Sequence, residues 1–497
     1  MPAPPNILCF VTDQHRADHL GCYGNPQVRT PNIDRLAAEG VLFTESYVAN
    51  PVCMPNRASL FTGTYPQAHG LLENGFTLSP SEVVLPEVLR RAGYQTASFG
   101  KIHLAPFGMK PEQAVYHYEL HESATWWEEG HDLSLPYYGF EEVRLADGHG
   151  PYIFGDYKRW LEAKKPGANE LLRPGRAVAP PTGARECWKA AIPHELHYNT
   201  YIADRTVDFL RTRDSDRPFF AWCSFPDPHH PFSPPRPYCD MYDPRDIRFS
   251  PARRPGELDD LPPYFAECYR GERDSGGLRG DLRAVTDDHY REIIALTYGM
   301  ISMVDDNVGR VMSALEEERL LEDTIIVFLS DHGDLMGDHW LINKGPFLYR
   351  GLVRVPTIWR LPGGARNQVC TQFVSAVDVC PTLLELCAPD LQRPLQGSSY
   401  AHLLRDPRGD FRDCIYIEYD ESYLSDRLRQ IRTKRWALTY LTQSRTGLLF
   451  DLAADPEELC NLWDKPKYQA TRRDLLLELL QTSARAQGPP PVKAVHA

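Results

Sequence analysis

The sequence lacks any long hydrophobic run and has no pair of cysteines at CxxC spacing. No stretch reaches the about 18 consecutive apolar residues that suggest a membrane-spanning helix, so we expect no membrane partner. The first residues, MPAPPNILCFVTD, carry no basic leader and only a short apolar run, which argues against a signal peptide and predicts a cytoplasmic protein. The 12 cysteines are scattered through the chain, and we interpret most of them as free thiols that act as small hydrophobic residues.

The sequence also has fewer basic than acidic residues. The chain has 54 Lys and Arg residues against 67 Asp and Glu residues, which gives a formal net charge of −13. Because binding to a phosphate backbone normally requires a basic face, nucleic acid is not expected as the main partner. The composition, 42% hydrophobic and 24% charged, is that of an ordinary globular protein, and 497 residues are enough for two domains.

Four apolar, β-rich runs each end in a cluster of polar residues. They are NILCFVT before Asp13-Gln14, YQTASF before Gly100-Lys101-Ile102-His103, PFFAWCSF before a cluster with Asp227 and His229-His230, and TIIVFLS before Asp331-His332. Runs that are apolar on both faces are typical of strands buried between two helix layers in a mostly parallel sheet. Segments 31–40, 85–93 and 286–319 have helical spacing, so the sequence predicts an α/β fold.

The polar residues after these strands predict a metal site, because ligands of open α/β sheets bind beyond the carboxyl ends of the strands. Neighbouring strands lie about 4.8 Å apart, so Asp13 and Asp331 would repel each other without a cation. With His332 and the amide oxygen of Gln14 they form a mainly oxygen set that suits Ca²⁺ or Mg²⁺, while the imidazole favours Mn²⁺ or a similar ion. The structural alternative is a helix cap for Asp331 and a surface ion pair for Asp13; four such strand ends together favour the metal.

The stretch PVCMPNRASLFTG raises the question of what Cys53 does. Pro55 suits the first turn of a short helix and Gly63 its end, so Cys53 is expected at a helix N-terminus with Arg57 one turn away. There the helix dipole favours an anion and is expected to lower the pKa of the thiol. A hard cation is nevertheless a poor partner for sulfur. Spacing alone leaves a core thiol, a metal ligand and a nucleophile open.

The stretch from Cys53 to Gly63 resembles the signature of the type I sulfatases, whose Cys-x-Pro-x-Arg core is recognised by an enzyme that oxidises the cysteine to formylglycine. Asn56 stands where serine is commoner in that family. Further stretches resemble family blocks in the family's order and cover most of the chain: TPNIDRLAAEGVLFTESYV, GYQTASFGKIHL, SDHGDLMGDHW, NKGPFLYRGLVRVP and LFDLAADPEELCNLW. The resemblance implies an alkaline-phosphatase-like fold, one divalent cation, and a formylglycine-generating enzyme as the partner during maturation.

The resemblance also implies a role for individual side chains in the hydrolysis of a sulfate ester. Arg57 would hold the hydrated aldehyde, Lys101 and Lys344 would clamp the sulfuryl oxygens, His229 would protonate the leaving oxygen, and His103 would be the base that expels sulfate. The implied catalytic residues are Cys53, Arg57, Lys101, His103, His229 and Lys344; the implied substrate contacts are Asn74, Lys101, His229 and Lys344; the implied metal ligands are Asp13, Gln14, Cys53, Asp331 and His332.

The pattern changes near residue 390 to short strands with turns, followed by a helix near 467–486 and a Pro-rich tail. This change predicts a catalytic α/β domain over residues 1–388 and a small C-terminal domain with an antiparallel sheet over residues 389–497. Two irregular regions, about 105–198 and 233–285, are expected to shape the binding pocket.

Three functions are compatible with these observations. The first is a sulfatase that acts on a soluble sulfate monoester, either an aryl or a carbohydrate sulfate. The second is a phosphonate monoester hydrolase or phosphodiesterase, because Asp13-Gln14 and Asp331-His332 also resemble that branch; Lys101 and His103 favour the sulfatase, since that branch tends to lack this pair. The third, a non-catalytic binding module, is disfavoured because every expected catalytic position is occupied.

Overall fold

The computed structural model describes residues 4–107, 127–128, 130–180, 182–273, 280–391, 395–422, 424 and 426–487. The strands are β1 (Asn6–Thr12), β2 (Val41–Phe43), β3 (Ser46–Tyr47), β4 (Gln95–Gly100), β5 (Glu142–Leu145), β6 (Phe219–Ser224), β7 (Thr324–Ser330), β8 (Thr357–Arg360), β9 (Gln368–Cys370), β10 (Val374–Ser375), β11 (Cys414–Asp420), β12 (Arg427–Thr433), β13 (Trp436–Leu441) and β14 (Thr446–Asp451). The α-helices are α1 (Pro31–Ala38), α2 (Cys53–Thr62), α3 (Pro66–His69), α4 (Leu85–Arg91), α5 (Asp156–Lys164), α6 (Tyr198–Thr212), α7 (Pro263–Tyr269), α8 (Asp287–Glu317), α9 (Arg350–Val353), α10 (Val379–Cys387) and α11 (Gln469–Ala486).

The largest sheet has eight strands in the order β5-β4-β6-β1-β7-β8-β2-β9. Its first five strands are parallel, with Val11 of β1 in register with Ser224 of β6 and Leu329 of β7, and β8 is antiparallel to both of its neighbours. The four runs that were recognised by their polar ends are therefore the four adjacent strands β4, β6, β1 and β7. Their carboxyl ends meet at one edge of the sheet, as predicted.

Helices cover both faces of this sheet because its central strands are apolar on both sides. In β1, Leu8 and Phe10 belong to one buried cluster, whereas Ile7, Cys9 and Val11 belong to another. Helices α1, α6 and α8 contribute to the first cluster and helices α2, α4 and α10 to the second. The predicted helices over 31–40, 85–93 and 286–319 correspond to α1, α4 and α8, and the predicted α/β class is confirmed.

A separate four-stranded antiparallel sheet, β11-β12-β13-β14, forms from the C-terminal part of the chain. The segment 429–441 (RQIRTKRWALTYL) forms parts of two strands, because the chain turns between Thr433 and Trp436 and β12 pairs with β13. Helix α11 packs on this sheet through Leu475 and Leu479, which share a buried cluster with Ile431. The antiparallel C-terminal sheet is thus confirmed, whereas a domain boundary at residue 389 stays a prediction. In the described part of the chain, no helix has the length and apolarity that crossing a bilayer requires.

A buried ion pair fastens the C-terminal sheet to the segment before α9. The side chains of Arg432 and Glu458 lie 2.7 Å apart and are each 1% exposed. The second carboxylate oxygen of Glu458 accepts a hydrogen bond from the backbone N–H of Arg350 (2.7 Å), and Gln430 Nε2 donates to the Leu348 carbonyl (2.8 Å). Because a buried charge without a partner is very costly, each member of this pair depends on the other.

We expect Glu458→Gln to destabilise the folded protein by about 3–5 kcal/mol, because the substitution leaves the Arg432 guanidinium buried without a counter-charge. Urea unfolding followed by tryptophan fluorescence measures the loss. Glu457→Gln is the matched control, since Glu457 is exposed and has the same side chain one residue earlier. Equal midpoints for the two variants would contradict the importance of the ion pair.

Candidate active site

Cys53 is the first residue of helix α2, as the sequence predicts. Val52 before it is extended (φ −125°, ψ 142°), Pro55 occupies the first turn, and Gly63 ends the helix in the left-handed region (φ 68°). All ten residues of α2 are buried. The helix is anchored by Asn56, whose amide accepts from Ala49 N–H (2.9 Å) and donates to the Asp331 carbonyl (2.6 Å). Asn56, which stands where serine is commoner in the family, therefore connects α2 to the end of β7.

The Cys53 thiol lies among charged groups. Its Sγ is 2.9 Å from Lys344 Nζ, 3.1 Å from His332 Nε2 and 3.7 Å from Asp13 Oδ1. Burial and the Asp13 carboxylate raise the pKa of Cys53 to about 11, although Lys344 and Lys101 oppose this shift. The expectation of a lowered thiol pKa is therefore wrong: desolvation outweighs the helix N-terminus.

Four side chains form a cluster that can hold a cation. One ligand atom each from Asp13, Cys53, Asp331 and His332 lies within 4.8 Å of the others. His332 Nδ1 donates to the Gly333 carbonyl (2.8 Å), which leaves the Nε2 lone pair facing the cluster. Burial and Lys344 lower the pKa of His332 to about 4, so its imidazole is neutral and able to coordinate.

Gln14 adds an oxygen donor to this arrangement. Its backbone N–H donates to Asp331 Oδ1 (3.2 Å), and its amide nitrogen donates to Asp334 Oδ2 (2.5 Å) and lies 3.2 Å from His230 Nδ1. The amide oxygen Oε1 is buried without a hydrogen-bond partner in the described structure. Because a buried polar atom without a partner is costly, a cation bound at this oxygen would offset that cost. The set of carboxylate, amide and imidazole donors suits Ca²⁺, Mg²⁺ or Mn²⁺.

Arg57 bridges the two aspartates of the cluster. Its fully buried guanidinium donates from Nε to Asp331 Oδ2 (2.7 Å), and its Nη2 lies 3.6 Å from Asp13 Oδ2. Its Nη1 donates to the Lys101 carbonyl and to Ser224 Oγ, both at 3.0 Å. Arg57 thereby joins the ends of β1, β4, β6 and β7 in one hydrogen-bonded network.

Lys101 and His103 follow β4 into the same site. The Lys101 ammonium lies 2.5 Å from Asp13 Oδ2 and 2.8 Å from His149 Nε2. Burial alone would raise the pKa of Asp13, but Lys101, with the neighbouring histidines, lowers it well below its ordinary value. The His103 ring stacks on Phe107 with centroids 3.9 Å apart, and burial together with Lys101 lowers the pKa of His103 well below its ordinary value.

His229 and Lys344 meet on the other side of Cys53. Lys344 Nζ lies 2.9 Å from His229 Nε2 and 3.1 Å from His332 Nε2. The Nδ1 atom of His229 is 2.6 Å from the carbonyl of His230 and donates to it, so its Nε2 accepts from the Lys344 ammonium.

Asn74 occupies a different position from the buried residues. Its side chain is exposed, and its Oδ1 accepts from the backbone N–H of Met54 at 3.2 Å. Asn74 therefore caps the second residue of α2 from the rim of the site.

Sequence reasoning did not assign His149, His230 or Asp334 to this site. His149 Nε2 lies 3.3 Å from Asp13 Oδ2, and His230 and Asp334 both contact the Gln14 amide. The signal for His149 was present: EVRL is followed by ADGHG, a polar cluster after a strand like the other four. Strand β5 was not predicted because it lies at the sheet edge and does not have the apolar pattern of a buried strand. One of its faces carries the exposed side chain of Arg144.

Comparison with known proteins adds independent findings. The family described as Sulfatase matches residues 5–388, and the family described as N-sulphoglucosamine sulphohydrolase, C-terminal, matches residues 337–485. An arylsulfatase of Clostridium perfringens is 30% identical over 96% of this chain and 93% of its own, and an N-acetylglucosamine-6-O-sulfatase of Bacteroides thetaiotaomicron is 25% identical over 96% and 86%. The crystal structure of the phosphonate monoester hydrolase of Agrobacterium radiobacter superimposes with a TM-score of 0.80 at 29% identity, covering 97% of this chain and 96% of that chain.

We expect the chelator-treated protein to bind one divalent cation, and Asp331→Asn to weaken its affinity at least about 100-fold, because one of two anionic ligands becomes neutral. Calorimetric titration with Ca²⁺, Mg²⁺ and Mn²⁺ measures the affinities. Asp323→Asn is the control, since Asp323 precedes the opposite end of β7 and is exposed. Unchanged Ca²⁺ affinity in Asp331→Asn would exclude this cluster as the cation site.

Proposed function

The chain belongs to the sulfatase family, and from this membership we propose that it hydrolyses a soluble sulfate monoester through a formylglycine made from Cys53. The observation that carries the proposal is the position of Cys53: it begins a buried helix within a Cys-x-Pro-x-Arg stretch, between Lys344, His332 and Asp13. The names of the relatives, an arylsulfatase and an N-acetylglucosamine-6-O-sulfatase, support an aryl or a carbohydrate sulfate as substrate. A formylglycine-generating enzyme is the maturation partner that this proposal requires.

The chemistry of the site favours an oxygen nucleophile at residue 53. Burial and the Asp13 carboxylate raise the pKa of the unmodified thiol, and a hard cation pairs poorly with sulfur. A divalent cation held by Asp13, Gln14, Asp331 and His332 would supply charge neutralisation and Lewis acidity next to the nucleophile. The hydrated formylglycine has two hydroxyl groups: one attacks sulfur, and loss of the proton of the other expels sulfate and restores the aldehyde. Water is therefore not needed to cleave a sulfated intermediate.

Two buried ammonium groups flank the nucleophile and are proposed to bind the sulfuryl oxygens. Lys101 is 0% exposed and Lys344 is 5% exposed, and the two approach Cys53 from the Asp13 and His332 sides respectively. Fixed positive charges in a buried site stabilise developing negative charge more strongly than they would in water. Arg57 contributes indirectly, because it holds the two carboxylates in place next to the hydrate.

Proton transfer is assigned to the histidines. His229 Nε2 and the Lys344 ammonium share one proton across 2.9 Å, and we assign the protonation of the leaving oxygen to this proton. His103 is kept neutral by burial and Lys101, and it is proposed as the acceptor of the hydroxyl proton when sulfate leaves. A single general acid or base contributes about 10² to 10⁴ in rate, so the site needs these groups together with the charge clamp. Asn74 at the rim is a proposed contact of the substrate.

We expect protein produced together with a formylglycine-generating enzyme to carry the aldehyde at Cys53, detected by mass spectrometry of the peptide that contains it. Cys53→Ala should lower kcat for an aryl sulfate at least about 10³-fold, because the nucleophile is removed. Cys22→Ala is the control, since Cys22 is a partly buried thiol elsewhere in the fold. Full activity with an unmodified Cys53 thiol would end the formylglycine mechanism.

The second candidate function is hydrolysis of a phosphonate monoester or phosphodiester. It is favoured by the similarity to the phosphonate monoester hydrolase structure and by the pairs Asp13-Gln14 and Asp331-His332. The presence of Lys101 and His103 supports the sulfatase instead, because the resemblance to the hydrolase branch does not extend to this pair. In the structure Lys101 lies in the site, where it contacts Asp13 and His149.

Kinetics with two substrates separate these functions. We expect a larger kcat/KM for 4-nitrophenyl sulfate than for a 4-nitrophenyl phosphonate monoester, measured on the same preparation with its formylglycine content known. Lys101→Met is expected to lower the sulfate activity most, because it removes a charge next to the sulfuryl oxygens. A larger kcat/KM for the phosphonate would reverse the ranking.

A further inference from the structure

His149 is presented to the site by a turn that only glycines allow. Gly148 (φ +91°) and Gly150 (φ +50°) flank it in the left-handed region. A Cβ atom on Gly148 would lie 2.5 Å from the Tyr152 carbonyl oxygen, and one on Gly150 would lie 2.6 Å from Pro231 Cγ. The turn is thus packed directly against the segment that carries His229, and its backbone conformation fixes the position of His149.

The bond between Lys101 and His149 has a defined direction. An ammonium group only donates, so His149 Nε2 must be the acceptor at 2.8 Å. The same ammonium donates to Asp13 Oδ2 at 2.5 Å. Two of its three N–H bonds are therefore directed by Asp13 and His149.

The ring of His149 also determines the position of His229. The two rings stack with centroids 3.6 Å apart and planes at 9°, and His230 covers the opposite face of His229 at 4.0 Å and 29°. His229 in turn accepts from Lys344 at 2.9 Å. The site thus contains two lysine–imidazole pairs, Lys101–His149 and Lys344–His229, whose rings are stacked face to face.

From this arrangement we propose that His149 is a positioning residue that orients the Lys101 ammonium and holds the His229 ring, an inference that rests on the proposed ester hydrolysis. Without the Nε2 acceptor, the Lys101 ammonium is held by Asp13 alone and turns away from the sulfuryl oxygens. Without the ring, His229 loses one of its two stacking faces and its alignment with the leaving oxygen. Both effects act on the reaction through another residue.

Two substitutions separate the two contacts. His149→Phe keeps a flat ring and removes the acceptor, whereas His149→Gln keeps an acceptor of similar reach and removes the ring. We expect His149→Phe to lower kcat/KM for an aryl sulfate about 100-fold, mainly through kcat, because misplaced charge acts on the transition state. We expect kcat/KM of His149→Gln to be about tenfold higher than that of His149→Phe. His194→Gln, at an exposed histidine, is the control for the substitution itself.

A double-mutant cycle tests whether His149 acts through Lys101. In a Lys101→Met background, His149→Phe should have less than about a threefold further effect on kcat/KM, because the partner is already absent. Additive effects of Lys101→Met and His149→Phe, or a His149→Gln variant no better than His149→Phe, would overturn the proposal. Thermal unfolding of each variant identifies losses that come from misfolding.

Binding of inorganic sulfate supplies a readout that does not need turnover. Calorimetry should show that His149→Phe and Lys101→Met weaken sulfate binding by similar factors and that the double variant is no weaker than Lys101→Met. Independent weakening by the two substitutions contradicts the positioning role, even in a protein that does not hydrolyse sulfate esters. A wild-type protein that binds sulfate with this coupling but does not hydrolyse sulfate esters contradicts the proposed function alone.

Discussion

The site depends on two carboxylates that are buried side by side. Asp13 and Asp331 follow the adjacent parallel strands β1 and β7, and both side chains are fully buried. Two negative charges in such a place are very unfavourable unless positive charge surrounds them. Arg57 contacts both carboxylates, and Lys101 contacts Asp13. The same positive groups that make the aspartates tolerable also make the site attractive to an anionic ester, so stability of the fold and recognition of substrate rest on one set of charges.

The surrounding structure keeps these charges in place from several directions. Helix α2 is connected to the end of β7 through Asn56. The candidate cation ligands Asp331 and His332 begin a loop in which the backbone N–H groups of Gly333 and Asp334 donate to carbonyls of helix α9. Glu458, which follows β14 and pairs with Arg432 of β12, in turn accepts from the backbone N–H of Arg350 at the start of α9. The C-terminal part of the chain thus contacts the segment that follows Lys344.

The sequence predicted the central part of the fold because the signal there was repeated. Four strands that are apolar on both faces, each followed by polar residues, are typical of a parallel sheet with helices on both sides. Their common carboxyl edge places Asp13, Lys101, His229 and Asp331 close together. His149 was missed because β5 is an edge strand whose alternating pattern does not resemble a buried strand. The thiol pKa of Cys53 was predicted in the wrong direction, since the effect of the helix N-terminus is visible in a sequence whereas burial next to Asp13 is not. The contacts of Arg57 with two carboxylates also required the three-dimensional arrangement.

The complete burial of helix α2 has a consequence for the maturation step that the proposed mechanism requires. A second protein cannot reach a side chain that is 1% exposed and enclosed by Lys344, His332 and Asp13. The oxidation of Cys53 that we propose would therefore have to precede folding, while the Cys-x-Pro-x-Arg stretch is still an accessible peptide. A chain that folded first would enclose its unmodified thiol in helix α2, and the thiol would become accessible again only on unfolding.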